Sequence, residues 1–159
     1  MNYWLMKSEP DAFSIDDLAR VPDQTEHWDG VRNYQARNMM RDEMKKGDLV
    51  LFYHSSCKEA GVAGIATVAK EGYPDFTALD PESKYYDPKS DADKPRWYMV
   101  DIAFVRKLKR VITLAELKTY PAIADMRLLA RGNRLSIMPV SKKQWDYILK
   151  LENKAPTRL

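Results

Sequence analysis

The 159-residue chain holds a single cysteine and two histidines. Cys57 has no intrachain partner, so a disulfide framework is excluded and a reducing, intracellular setting is expected, cytoplasmic or, in a eukaryote, nuclear. His27 and His54 beside one thiol cannot complete a four-ligand Cys/His zinc site, and no metal is expected. No apolar run approaches the ~20 residues needed to cross a bilayer, so no membrane partner is expected. The first residues, Met1 to Lys7, lack the basic region of a cleavable leader and read as the start of a strand. Internal repeats and low-complexity tracts are missing as well. No Walker A loop occurs, and Gly61-Val-Ala-Gly64 has neither the spacing nor the helix context of a dinucleotide fingerprint, so no cofactor is expected. A large excess of one charge is also lacking: 26 Lys and Arg against 23 Asp and Glu leave +3. That total excludes a polycation but not a nucleic-acid binder with one basic face.

What is present is ordinary globular usage, with 45% hydrophobic and 31% charged residues, enough for one domain over residues 1–159 with a sizeable core. The modest net charge hides an asymmetry: residues 1–80 carry 9 basic and 14 acidic side chains, and residues 81–159 carry 17 and 9. Tyr3–Ser8 reads as a short strand ended by Glu9-Pro10. Ser14 followed by Asp16-Asp17 marks a helix start, and Asn33 can cap a helix reaching about Met44, where Ala36, Met40 and Met44 recur every four residues. Leu49–Tyr53 is the clearest strand. Residues 60–70 form another, in which Gly61 and Gly64 signal a bulge or a close backbone approach. The stretch from about residue 73 to 96, rich in Pro and Asp and carrying Tyr73, Tyr85 and Tyr86, is expected to be a long ordered loop. A long strand over 97–107, capping boxes at Thr113-x-x-Glu116 and Ser141-x-x-Gln144 opening helices over 113–119 and 141–151, and a short strand over 135–140 complete the reading. Strands outnumber helices, which predicts an α+β fold: a small mixed barrel of about five to six strands with short helices at its edges.

Catalytic patterns are weak. His54-Ser-Ser-Cys57 places an imidazole near a thiol only in sequence, and Asp16-Asp17 fits helix N-terminal charges. Polar and aromatic residues instead gather in Lys7-Ser-Glu9, His27-Trp-Asp-Gly-Val-Arg-Asn-Tyr34, Tyr53-His-Ser55 and Lys84-Tyr-Tyr86. Aromatic rings beside hydrogen-bonding groups are what an extruded base requires, since its faces stack and its edge is read by amides, hydroxyls and backbone. Arg106-Lys-Leu-Lys-Arg110 is the densest basic stretch, fitting either an electrostatic footprint or a strand-to-helix turn.

Six segments in order, Tyr3–Pro10, Trp28–Asn38, Gly47–Ser55, Gly61–Ile65, Ser83–Pro88 and Leu135–Met138, make the chain resemble the EVE-domain family over nearly its whole length. The resemblance implies the PUA-like pseudobarrel fold and a pocket for a modified nucleobase in RNA or DNA. A more distant resemblance to YTH domains implies that Lys7 and Ser8 sit at the pocket lip, that Trp28 forms an aromatic wall, and that Asn33 reads the base edge. Where that pattern places a second cage tryptophan, this chain carries Asp101-Ile102. The resemblance therefore implies a base other than methyladenine, such as a cytosine derivative. On this basis Ser55 and the backbone at 53–55, with His54 beside them, join the edge contacts, and Tyr34 and Tyr53 close the walls. Arg32, Lys84, Tyr85, Arg131 and Arg134 form the rim or meet phosphate. The expected activity is non-catalytic recognition. The alternatives are a hydrolase of modified nucleosides like the ASCH relatives, using Lys7 and Glu9, or a protein-binding adaptor with a vestigial pocket.

Overall fold

The structure is a computed structural model and describes residues 1–156. Six strands, β1 (Tyr3–Ser8), β2 (Thr25–His27), β3 (Leu49–His54), β4 (Gly61–Pro74), β5 (Tyr98–Thr113) and β6 (Ile137–Val140), form one sheet in the order β2-β5-β4-β3-β1-β6. Only β1 and β3 run parallel, in step from Tyr3 opposite Leu49 to Ser8 opposite His54; the other pairs are antiparallel. The edges β2 and β6 do not pair with each other, so the sheet is an open, mixed one. With its short helices this is the expected α+β, PUA-like architecture.

Strand periodicity explains why the two parallel strands are apolar throughout. Side chains alternate across a sheet, and a strand covered on both faces cannot afford a polar face. Trp4, Met6, Val50 and Phe52 enter one core, whereas Leu5, Leu51 and Tyr53 enter another. The first core is closed by α1 (Ile15–Arg20), by α2 (Tyr34–Asn38), and by the π turn Met39–Glu43 that continues it. The second is closed by α3 (Leu114–Leu117) and by α4 (Lys142–Leu151), whose Trp145, Ile148 and Leu151 are buried. Ser14 and Ser141 form full capping boxes, as their spacing predicts. Gly64 is a close approach: a Cβ there would lie 2.5 Å from the Ile15 side chain, so α1 packs directly on β4.

Three boundaries differ from expectation. β5 does not stop near residue 107 but pairs with β4 as far as Thr113 opposite Gly61, which shortens the following helix to one turn. Thr113 caps that turn, yet Glu116 does not close the box; its carboxylate is buried in a bidentate pair with Arg110. Arg106 is held in the same way by Glu152, and Lys107 pairs with Asp16 at 3.0 Å. The basic stretch 106–110 is therefore mostly neutralised within the fold and is not a free footprint. The three-residue β2 carries no alternation that would reveal it, and exists because its register with β5 sets His27 opposite Asp101.

Candidate functional site

Parallel pairing brings the ends of β1 and β3 to one edge, where Ser55 N–H donates to the Ser8 carbonyl at 2.9 Å. Beside that edge opens a pocket of 590 Å³ bounded by residues 7–9, 12–13, 26–32, 84–85 and 136. Its size lies in the range of small-molecule sites. Trp28 reaches it directly after β2, where its backbone N–H is fixed by Val100 O at 2.8 Å. The indole meets Phe52 edge-on, with ring centres 5.6 Å apart, and remains 9% exposed. Trp4 and Trp97 spend their indole N–H groups on Asp48 and Asp87, but that of Trp28 has no acceptor among the described residues. It is a wall with an unused donor.

The 84–85 rim belongs to the long connection between β4 and β5, which is ordered by a clip. Asp75, its side chain fully buried, accepts from Gly30 N–H, Thr77 and the Arg32 guanidinium, the last at 3.0 Å. Burial pushes this carboxyl up, but the hydrogen bonds from Thr77, Gly30 and Arg32 outweigh it and hold it below the ordinary carboxylate range. Arg32 also donates to Tyr85 O at 2.7 Å and lies between the Tyr85 and Trp97 rings, 5.6 and 5.3 Å from their centres. The column continues on both sides: Tyr34 stacks on Trp97 at 4.8 Å under Arg37, and Lys84 covers Tyr85 at 5.0 Å. Gly30 adopts φ +80°, and a Cβ there would come within 2.5 Å of the Tyr85 ring. Only glycine fits at this contact.

Of the residues singled out from the sequence, the structure gathers Lys7, Ser8, Trp28, Arg32, Lys84 and Tyr85 around this pocket. Ser8 donates to Phe13 O at 2.6 Å, closing the turn after β1 while leaving its lone pairs available. Burial pulls the Lys7 amine down, and its ammonium lies 5.8 Å from the centre of the Tyr53 ring. Tyr53 sits in the second core, its hydroxyl pushed up to about 12 chiefly by burial. His54 accepts from Ile15 N–H through Nε2 at 3.1 Å and thereby anchors α1; this bond requires a neutral ring, and burial pulls its pKa down. Asn33 caps α2 by accepting from Ala36 N–H at 3.0 Å. Tyr34 is half exposed on the lid side. Arg131 and Arg134 line a neighbouring groove of 400 Å³ that Asn33 also borders.

The EVE-domain profile matches residues 2–151. The chain belongs to the EVE-domain family. It is 47% identical over 173 residues to human thymocyte nuclear protein 1, covering 98% of this chain and 76% of that protein. The crystal structure of human THYN1 protein in complex with 5-methylcytosine containing DNA superposes with a TM-score of 0.92 at 47% identity, covering 98% of this chain and all of that one. A YTH domain of Zygosaccharomyces rouxii, solved with N6-methyladenosine RNA, shares 14% identity at a TM-score of 0.55 over 99% of this chain and 88% of that one, a likeness of fold.

This EVE domain also places in its pocket residues that sequence reasoning did not single out as contacts: Phe13, Glu26, His27 and Asp29. His27 lies 3.0 Å from the Glu26 carboxylate and 3.9 Å from that of Asp29. The polar run beginning at His27 was the available signal for His27 and Asp29. Phe13 and Glu26 had none, because their relevance depends on the β1 turn and on β2. Three cations (Lys7, Arg32, Lys84) and three carboxylates (Glu9, Glu26, Asp29) line the pocket, which therefore carries no formal net charge. Such a lining suits a neutral heterocycle better than a phosphate.

Proposed function

We propose that this EVE domain binds nucleic acid by taking one modified base, a cytosine derivative, out of its stack and into the Trp28 pocket, and that it reads the base without transforming it. The observation that carries this reading is the indole of Trp28, which lines a 590 Å³ pocket while its N–H is uncommitted. A ring face can stack there, and Phe13 and Val31 offer apolar contact for a methyl substituent. The exocyclic amine of cytosine is a donor, and the Glu26 and Asp29 carboxylates are acceptors of the kind that read it. The relative solved with 5-methylcytosine DNA, similar over almost the whole chain, supports the same class of ligand. Against hydrolysis, the Lys7 ammonium rests near the Tyr53 ring, and His54 is committed to the backbone of α1.

The test is equilibrium binding of a single-stranded oligonucleotide carrying one 5-methylcytosine to Trp28→Leu and Trp28→Phe variants. Loss of stacking in the leucine variant is expected to weaken binding about tenfold to a hundredfold, with a smaller loss for phenylalanine. Leucine keeps the site apolar, and circular dichroism establishes that each variant is folded. Unchanged affinity in a folded Trp28→Leu protein would sink the proposal.

A further inference from the structure

The groove next to the pocket differs from it in charge. It is bordered by Arg127, Arg131 and Arg134 together with Asn33, Gln35 and Leu135, and no carboxylate contributes to it. Among the described residues none of the three guanidinium groups has an ion-pair or hydrogen-bond partner, whereas Arg32, Arg106 and Arg110 are each held by a carboxylate. The turn supplies further donors: among the described residues no acceptor takes the backbone N–H of Arg131, Gly132 or Arg134. Gly132, at φ +76°, has nothing within 4 Å of where a Cβ would stand. Two pairs of chain neighbours join the groove to the pocket, Arg32 to Asn33 and Leu135 to Ser136.

We infer that this groove is a phosphodiester-binding subsite that holds the backbone flanking the base in the Trp28 pocket. This rests on the base-reading function above and adds to it the route of the strand. Phosphates need positive charge without competing carboxylates, and three unpaired arginines beside open N–H groups provide that, whereas the balanced pocket does not. The ligand is therefore a polymer that crosses residues 32–33 and 135–136, and a free nucleoside occupies only half of the site.

The experiment compares wild type, Arg131→Gln/Arg134→Gln, and the charge-matched control Lys143→Gln/Lys150→Gln. Each protein is titrated with the nucleoside 5-methyl-2′-deoxycytidine and with a 12-nucleotide single strand carrying one 5-methylcytosine, across a series of salt concentrations. The arginine variant is expected to bind the strand about tenfold more weakly, with a salt slope flatter by about 2, one unit per lost phosphate contact. Its nucleoside affinity and the behaviour of the lysine control are expected to match wild type. Unaltered strand affinity and slope in the arginine variant, or an equal flattening in the lysine control, would overturn the subsite. Failure of the nucleoside to bind wild type, with strand binding still dependent on the arginines, would overturn the base pocket and leave the groove standing.

Discussion

Arg32 shows how far a residue's type can mislead. Next to aromatics and close to a pocket, an arginine reads as a phosphate contact. In the fold its guanidinium is committed to Asp75, the Tyr85 carbonyl and two rings, so its charge is neutralised and its work is to hold the 75–97 connection in place. Its carboxylate partner has a fully buried side chain, and breaking a buried pair from one side typically costs about 3–5 kcal/mol. Asp75→Ala is accordingly expected to lower stability by a few kcal/mol and to expose the backbone of residues 77–87, read as a lower urea midpoint and lost amide protection there. Arg32→Lys is expected to recover little, because an ammonium cannot reproduce the planar fork and the stacking. The partner lies 43 residues away, beyond any local pattern. Trp28 was legible for the opposite reason: an aromatic inside a polar run is itself the signal.

At the scale of elements, local chemistry was legible and pairing was not. Ser14, Asn33 and Ser141 cap their helices because a cap depends on residues three positions apart. The extent of β5 depends on β4, and β2 depends on β5, so their limits follow from contacts that no window of sequence contains. The start of α1 combines both kinds, since His54 at the end of β3 satisfies the Ile15 N–H. Its folded pKa lies below the ordinary value near 6.5, because burial disfavours the charged ring. The unfolded chain then binds the proton more readily. The contribution is present above about pH 6.5 and is lost as the pH falls from there through the lower folded pKa. Urea midpoints measured from pH 7.5 to 5 should fall more steeply in wild type than in His54→Asn, which cannot titrate. Parallel curves would refute this role.

For the whole molecule, the imbalance between an acidic first half and a basic second half reads as pocket against phosphate face, and the fold qualifies that reading. Much of the basic surplus is consumed internally by Glu116, Glu152 and Asp16. Three groove arginines remain together, which corresponds to a modest electrostatic contribution. A strand held by three phosphates gives a log–log salt slope of about −2, and binding of the 12-nucleotide strand to wild type is expected near that value. A slope several times steeper would place more of the surface against the backbone. The α+β class and PUA-like sheet were legible from strand count and motif order, while the pocket's charge balance required Glu26 and Asp29 to be seen beside Trp28. The sheet order carries one more consequence. β1 lies between β3 and β6, Tyr3 pairs with Val140, and Lys7 N–H donates to Ser136 O at 2.8 Å. Contacts of such sequence separation form late, because their loop-closure entropy must be met first. During synthesis the β1 edge waits unpaired until residues 136–140 leave the ribosome. An aborted translation product that ends earlier has no complete pocket, and so cannot occupy modified sites in competition with the finished protein.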